Sequence, residues 1–440
     1  MLKSSPRRDL APEQPRLFGG DEDTSPKRPT ADSTFIENLS LPLHRWFRYS
    51  AGFSALWTRE VIQQARQQGC SRVLDPFAGC GTVLLEGETG GLQAAGVEAH
   101  PFVARVAQAK LYWRVDPHEF RDYALAIVAQ AREETGSIDR YPELMTKCFP
   151  PETLACLDTL RQGWEAVADG SPVAELTWLA LASILRECSP VGTAQWQYVL
   201  PGKTKAKVSD PYTAFTYKIH LMSHDMALRQ TQHTGAEAIL HQEDARHCAS
   251  VPDEWADLVI TSPPYANNYD YADATRLEMS FFGDVRNWGD LQETVRKYLI
   301  RSCTQHVAKL NGEHRLNLDA SILEPIRDEL LETCRALELE RLEHGGKKPY
   351  HAMIAAYFKD MAETWRALRR VTRNGALVCF VIGDSAPYGI YVPVDKWMGE
   401  LAIAAGFKSY RFEKTRDRNV KWKNRKHRVP LHEGRLWVQG

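Results

Sequence analysis

The sequence predicts an α/β protein with a mainly parallel sheet, an antiparallel hairpin at its C-terminal edge, helices on both faces and two mostly helical insertions. Three observations predict this fold class. A short strand ends at Asp75 and is followed by a glycine-rich turn, a helix and a second strand at 94–98. A buried apolar strand at 258–260 stops at two consecutive prolines. A helical stretch, 350–370, precedes a strongly apolar strand, 376–384.

Two strand-like segments, 407–412 and 435–438, predict the antiparallel hairpin. Residues 411–428 carry nine lysines and arginines against two acidic residues, which makes them the strongest basic stretch of the chain. We interpret this stretch as a long hairpin loop that contacts phosphate groups, and a merely solvated loop is the alternative. The candidate nucleic-acid contacts in it are Arg416, Arg418, Lys421, Lys423, Arg425 and Lys426.

The composition is that of a globular protein, with 440 residues of which 43% are hydrophobic and 25% charged. The formal net charge of -1 provides no global basic field, so any attraction for nucleic acid must be local. The nine cysteines form no C-x-x-C pair and no cluster with zinc-site spacing, which favours a reduced, metal-free, cytoplasmic protein. Because no apolar run approaches membrane-spanning length, we expect no membrane partner.

Changes of pattern along the chain predict its organisation. Residues 1–33 are polar and contain several prolines, and we expect a disordered arm there. The strand-containing parts are expected to form one unit that is interrupted by two helical insertions. The strand-containing unit comprises 34–110, 236–272 and 350–440, and the insertions are 111–235 and 273–349.

The glycine-rich turn, residues 75–82 (DPFAGCGT), has the pattern of a nucleotide-binding unit. Its glycines let the backbone approach a ligand, and Glu98 ends the second strand about 20 residues later, where an acid can accept hydrogen bonds from ribose hydroxyls. The turn departs from the dinucleotide fingerprint, because Leu84 stands where the third glycine is required. A ligand with a ribose and no pyrophosphate therefore fits better, and an ordinary glycine turn is the alternative.

The second motif, residues 261–265 (TSPPY), ends the strand at 258–260. Its two prolines fix the directions of the Ser262 hydroxyl and of the backbone carbonyls, with the Tyr265 ring beside them. A hydroxyl and a carbonyl can accept both hydrogens of an amino group while an aromatic face stacks on a planar ring. The motif predicts a site for an exocyclic amine on a base, and a simple Pro-Pro turn is the alternative.

Other candidates come from loops, for which ordinary loop chemistry is the alternative. Asn267 and Tyr269 follow the second motif in a polar, aromatic loop that is suited to gripping a planar substrate. Lys203 and Lys205 belong to a small basic loop, and basic residues near aromatic ones can bind nucleic acid. Asp244 precedes the second motif and could accept an amino group from a purine ring.

Together, DPFAGCGT and TSPPY closely resemble the motifs of S-adenosylmethionine-dependent DNA amino-methyltransferases, and the second is most typical of their cytosine-N4 branch. The resemblance implies a Rossmann-like methyltransferase sheet and covers residues 41–110 and 236–440. It makes the strand-containing unit the catalytic domain and the second insertion the candidate for target recognition. It implies catalytic roles for Ser262, Pro263, Pro264 and Tyr265. The cofactor-binding residues that it implies are Ser50, Phe53, Asp75, Pro76, Phe77, Gly79, Gly81, Thr82, Glu98, Asp244, Ala245 and Thr261.

The resemblance also implies a mechanism. Ser262 and a proline carbonyl would accept the amine's hydrogens, so that its lone pair could attack the methyl group of S-adenosyl-L-methionine after the base is flipped out of duplex DNA. Serine at this position favours cytosine, because the adenine branch more often has Asp or Asn there. The absence of a Pro-Cys pair argues against methylation of carbon 5.

Three other functions stay open: an adenine-N6 enzyme, a guanine-N2 methyltransferase of structured RNA, and a catalytically silent nucleic-acid-binding relative. The resemblance implies double-stranded DNA as the partner and allows for a restriction enzyme or another defence-system partner.

Overall fold

The computed structural model describes residues 35–193, 198–232, 235–267, 269–307, 318–343, 345–346, 348–418 and 429–440. The predicted N-terminal arm lies outside the described residues. The same is true of four of the predicted nucleic-acid contacts, Lys421, Lys423, Arg425 and Lys426.

Seven of the described strands form one sheet. The strands are β1 (Arg72–Asp75), β2 (Gln93–Val97), β3 (Val191–Thr193), β4 (Val199–Thr204), β5 (Ile239–His241), β6 (Ala256–Thr261), β7 (Thr372–Gly383), β8 (Ser409–Arg418) and β9 (Leu431–Gln439). Their order in the sheet is β5-β2-β1-β6-β7-β9-β8. The pairs from β5 to β7 are parallel, and β9 pairs antiparallel with both β7 and β8. This topology confirms the predicted fold class.

Apolar residues of the central strands alternate between two hydrophobic clusters, one on each face of the sheet. Leu258 and Ile260 of β6 belong to one cluster, and Val259 between them belongs to the other. Successive side chains of a strand point to opposite faces, so a run of apolar residues gives a strand that is buried on both sides. This requirement explains the continuous apolar stretches that predicted β6 and β7.

Helices cover both faces. The α-helices are α1 (Ala55–Gln67), α2 (Thr82–Gly90), α3 (Pro101–Leu111), α4 (Pro117–Glu133), α5 (Glu143–Cys148), α6 (Pro151–Val167), α7 (Pro172–Cys188), α8 (Pro211–Gln232), α9 (Tyr271–Ala274), α10 (Arg276–Phe282), α11 (Leu291–Thr294), α12 (Thr304–Val307), α13 (Arg327–Glu343), α14 (Tyr350–Val371) and α15 (Val394–Ala404). Short 3₁₀ helices span Phe35–Ser40, His44–Trp46, Tyr112–Arg114, Trp288–Asp290, Arg296–Tyr298, Ser321–Ile326 and Pro387–Gly389. None of the helices in the described ranges is long and apolar enough to cross a membrane.

The first insertion is not entirely helical, because β3 and β4 form a separate antiparallel hairpin in it. The basic segment 202–207, which we expected to be a loop, begins within β4. Only Val199 of β4 is buried, and the strand therefore shows no alternation of apolar and polar residues from which it could be predicted. The helices of the insertion share one hydrophobic cluster with α2, to which Phe120, Trp178 and Val83 all belong.

The C-terminal hairpin also differs from the prediction. Residues 411–418, which we assigned to a long basic loop, are part of β8 and pair with β9. β8 is the edge strand of the sheet, and charged residues are common on edge strands because they discourage pairing with other chains. One of its charges is paired across the hairpin, since Arg416 bonds to Glu433 of β9 at 2.7 Å. Basic composition alone therefore gave the wrong local structure here.

Replacement of Gly87 by alanine tests the packing of α2 on β1 and β2. A Cβ at this position would lie 2.7 Å from the Ala94 Cβ and 3.0 Å from the Val73 Cγ1. Alanine normally stabilises a helix relative to glycine, but here we expect a loss of about 1–3 kcal/mol of unfolding free energy because the site is overpacked. Urea denaturation measures it. Gly202→Ala is the control, since no atom lies within 4 Å of its added Cβ. Equal stabilities of the two variants would contradict this packing.

Candidate functional site

The two predicted motifs meet at the carboxyl ends of β1 and β6, which are neighbours in the sheet. From β1 the chain adds β2 and then β5 toward one edge of the sheet, and it returns to the other side of β1 to add β6 and β7. The helix after β1 and the helix before β7 pack into different hydrophobic clusters, on opposite faces. Such a change of direction opens a crevice beyond the strand ends, where open α/β sheets bind ligands.

A hydrogen bond joins the two strand ends. The Thr261 hydroxyl donates to Asp75 Oδ1 at 2.6 Å, and the Phe77 N–H donates to the same oxygen at 3.0 Å. Both Asp75 and Thr261 are buried. Burial raises the pKa of Asp75 to about 7, although these two bonds oppose the rise. The bond between Asp75 and Thr261 thus fixes the position of one motif relative to the other.

The first cavity is lined by residues that directly follow both strand ends, among them Pro76 and Ser262, and has a volume of about 60 Å³. The predicted residues that line it are Phe53, Pro76, Phe77, Gly79, Thr82, Glu98, Asp244, Ala245, Ser262 and Pro264. Four of the predicted cofactor residues, Ser50, Asp75, Gly81 and Thr261, are not among its lining residues. Gly81 instead forms the N-cap of α2 in a left-handed conformation, with φ of 86°.

Glu98 forms an acceptor group in the wall of the first cavity. Its Oε2 accepts from the Gly79 N–H at 2.8 Å, and its Oε1 accepts from the His100 N–H at 2.8 Å. Burial raises the pKa of this carboxyl to about 7, and the backbone donors moderate the rise. Gly79 has φ of 53°, and a Cβ there would lie 3.3 Å from the Tyr49 ring. The glycine therefore allows the aromatic ring to approach the loop.

Several residues of the first cavity were not predicted. Tyr298, Leu299 and Ile300 come from the second insertion, which we had considered only for target recognition. No residue type in this short segment indicates ligand chemistry, so only its position in the fold reveals its role. The remaining lining residues are Tyr49, Ala51, Gly52, Ala78, Cys80, Ala99, His100 and Tyr271, of which Ala78 and Cys80 belong to the predicted glycine-rich turn.

The Ser262 hydroxyl is oriented by the neighbouring strand. It donates to the backbone carbonyl of Val381 in β7 at 3.1 Å. A hydroxyl has one hydrogen and two lone pairs, so this bond leaves the oxygen able to accept. The carbonyl of Pro264 accepts from the Tyr357 hydroxyl at 2.9 Å, which holds the turn against α14. Pro263 is buried and lines neither of the cavities described here.

A second cavity adjoins the first, and the two share Ala51, Gly52, Phe53, Ser262 and Tyr271. Ser262 therefore faces both. The other predicted residues in the wall of the second cavity are Ser50, Tyr265, Asn267, Tyr269, Arg416 and Arg418. Aromatic rings and guanidinium groups thus surround the serine on this side.

The predicted basic residues divide into two groups. Arg416 and Arg418 belong to the second cavity, where Arg416 pairs with Glu433 and Arg418 donates to the Asp384 carbonyl at 2.8 Å. Lys203 and Lys205 lie in or next to the hairpin of the first insertion and line neither cavity. The ammonium group of Lys205 donates to the Arg186 carbonyl.

Two groups of potential metal ligands occur among the described residues. Asp270, Cys303 and His306 form one, and Asp384, Asp395 and His432 form the other. Arg296 donates to Asp270 at 2.7 Å, and His432 Nδ1 lies 2.6 Å from an oxygen of Asp384. One carboxylate of each group is therefore already paired with a basic side chain.

Comparison with known proteins gives a consistent class of relatives, although no model of a protein family matches the chain. The chain is 26% identical over 406 residues to the type II methyltransferase M.AvaI of Nostoc sp., and the match covers 85% of this chain and 81% of that protein. M.AvaI of Anabaena variabilis gives the same figures. The type II methyltransferase M.BsoBI of Geobacillus stearothermophilus is 24% identical over 418 residues, or 85% and 80% of the two chains. The similarity extends beyond the sheet into the insertions.

Replacement of Thr261 by valine tests the bond between the two motifs. Valine keeps the shape and removes the hydroxyl, and we expect a loss of about 1–3 kcal/mol of unfolding free energy. The loss should be larger at pH 8 than at pH 6, because the hydroxyl stabilises the ionised carboxylate of Asp75, whose pKa is about 7. Urea denaturation at both pH values measures it.

Thr177→Val is the matched control, since the buried Thr177 hydroxyl donates to the uncharged carbonyl of Val173. A pH-independent loss in Thr261→Val, equal to that of the control, would show that the bond to Asp75 contributes nothing specific.

Proposed function

We propose that this protein is a site-specific DNA methyltransferase that transfers a methyl group from S-adenosylmethionine to the N4 amine of a cytosine flipped out of duplex DNA. The observation that carries the proposal is the position of Ser262 in the wall shared by two cavities. In a transfer reaction the donor and the acceptor must meet at one point, and catalysis then depends largely on holding them in line.

The first cavity has the features that S-adenosylmethionine requires. Glu98 offers carboxylate oxygens for ribose hydroxyls, and Asp244 lines the same cavity and could accept from the adenine amine. Phe77 and Phe53 provide apolar walls, and the glycine loop brings the backbone close to the ligand. When bound, this cofactor supplies an electrophilic methyl group on a sulfonium.

In the second cavity, Ser262 would act on the amine. The lone pair of an exocyclic amine is shared with the ring, which makes it a poor nucleophile. The Ser262 oxygen, whose hydrogen is directed at Val381, can accept one amine hydrogen and draw the nitrogen toward tetrahedral geometry. The Tyr265 ring can stack on the base. We assign cytosine because Ser262 is a serine and not the acid or amide more usual in the adenine branch.

The relatives support the broader assignment. M.AvaI and M.BsoBI are both named as type II methyltransferases. Their names favour, for this protein, a DNA-modifying enzyme of a restriction–modification system with double-stranded DNA as its substrate. A restriction enzyme that cuts the unmodified site would be the corresponding partner. The net charge of -1 means that attraction for DNA must be local, and Arg48, Arg416 and Arg418 gather at the second cavity.

Replacement of Ser262 by alanine tests the proposed chemistry. We expect wild-type protein to transfer labelled methyl groups from S-adenosylmethionine to unmodified bacterial DNA, and nucleoside analysis to identify N4-methylcytosine. The variant should lose about a hundredfold or more in rate, since a preorganised contact at the reacting atom is removed. Its affinity for the cofactor should change little.

Ser183→Ala is the control, because the Ser183 hydroxyl donates to the Ala180 carbonyl within α7, away from both cavities. N6-methyladenine as the product would retain the mechanism and change the base. Label in transfer RNA alone, or no transfer to DNA by a protein that binds the cofactor, would refute the proposal.

The pH dependence of cofactor binding tests the role of Glu98. The pKa of this carboxyl is about 7, so it is mainly protonated at pH 6 and mainly ionised at pH 8. Because the ionised form accepts hydrogen bonds from ribose better, affinity should fall roughly tenfold between pH 8 and pH 6. Isothermal titration calorimetry with S-adenosylmethionine measures it.

In Glu98→Gln we expect weaker binding that hardly depends on pH. The exposed Glu60→Gln on α1 serves as the control and should retain the wild-type profile. A pH dependence that persisted in Glu98→Gln would identify another group as the one that titrates.

A further inference from the structure

Arg418 occupies a distinctive position in the second cavity. It is the last residue of β8, and its guanidinium carbon lies 5.3 Å from the centre of the Tyr265 ring. Ser262 lines the same cavity. A base that presents its amine to Ser262 and stacks on Tyr265 would therefore bring the next atoms of its ring close to this guanidinium.

The Arg418 side chain is held in place by the protein. Its Nη1 donates to the Asp384 carbonyl at 2.8 Å, its Nε lies 3.9 Å from a Glu433 oxygen, and the side chain is only 17% exposed. A guanidinium carries five N–H groups, and the bond to Asp384 uses one of them. A fixed, mostly buried fork of donors is suited to reading a planar ligand.

Gly383 makes this position available. A Cβ on Gly383 would lie 2.6 Å from Arg418 Nη1, so the guanidinium can rest against the end of β7 only because this residue is glycine. The backbone of Gly383 is not in the left-handed region, and alanine can therefore be introduced without backbone strain. Such a change would displace the guanidinium and leave the arginine itself in place.

We propose that Arg418 reads the ring edge of the target base and selects cytosine over adenine, an inference that rests on the proposed function. Beyond its amine, cytosine presents two neighbouring acceptors, N3 and O2, whereas adenine presents one acceptor, N1, and then a C–H group. A guanidinium fork can donate to both acceptors of cytosine. With adenine, one donor faces a C–H group and is left without a partner, which is costly in a buried site.

The experiment compares wild-type protein with Arg418→Gln, Arg418→Lys, Gly383→Ala and the control Arg411→Gln. Arg411 is on the same strand and its guanidinium also lies near an aromatic ring, that of Trp437, but it does not line the cavity. After the methylated position has been mapped by sequencing, kcat/KM is measured on a duplex with that site. The measurement is repeated on the same duplex with adenine at the target position, and cofactor affinity is measured in parallel.

We expect Arg418→Gln and Gly383→Ala to lower kcat/KM for cytosine by roughly ten- to a hundredfold, the usual effect of losing one bidentate hydrogen-bonded contact to a base. The ratio of kcat/KM for cytosine to kcat/KM for adenine should fall in the same two variants. Arg418→Lys should show the same losses as Arg418→Gln, since lysine keeps the charge but lacks the paired N–H donors of the guanidinium group. Arg411→Gln and all cofactor affinities should stay near the wild-type values.

Two results would overturn the inference while leaving the proposed function intact. One is a ratio of kcat/KM for cytosine to kcat/KM for adenine that is unchanged in both Arg418→Gln and Gly383→Ala. The other is a wild-type kcat/KM and a wild-type ratio in Arg418→Lys, which would indicate a role of charge alone. Failure of the wild-type protein to form N4-methylcytosine would instead refute the proposed function. Gly383→Ala retains the arginine, so a folding defect in Arg418→Gln does not prevent the test.

Discussion

The short bond between the Thr261 hydroxyl and the Asp75 carboxylate is the constraint on which the site depends. It joins two strand ends that are 186 positions apart in the chain, and each strand end carries one motif. A buried carboxylate is unfavourable unless it is hydrogen-bonded, and here the donors come from the loop and from the neighbouring strand. The requirement to satisfy one charge thus aligns the glycine loop with the serine turn.

The two cavities follow from this alignment. Their common wall consists of Ser262, Tyr271 and the segment 51–53, so a change in either motif would alter both spaces. The resemblance to type II methyltransferases extends over 85% of the chain, which agrees with a site assembled from distant parts and not from the motifs alone. The second cavity also depends on β8 and β9, since Arg416, Arg418 and Glu433 line it.

The sequence predicted those features that depend on local chemistry. Apolar runs located the central strands, and glycines and prolines located both turns, because such residues restrict or permit backbone conformations wherever they occur. β4 was missed and β8 was predicted only up to residue 412, because β4 and the second half of β8 show no apolar alternation that distinguishes a strand from a loop. The contribution of Tyr298 to the first cavity could not be predicted, because it depends on the tertiary path of an insertion.

That contribution has a consequence for attempts to shorten the protein. Removal of the second insertion would leave every strand of the large sheet and both motifs in the chain, but it would remove buried residues such as Phe281 and Leu330 from the two hydrophobic clusters. The first cavity would also lose the side made by Tyr298, Leu299 and Ile300 and would open to water. The second insertion therefore serves both the hydrophobic core and the wall of the first cavity, although it contributes no strand to the large sheet.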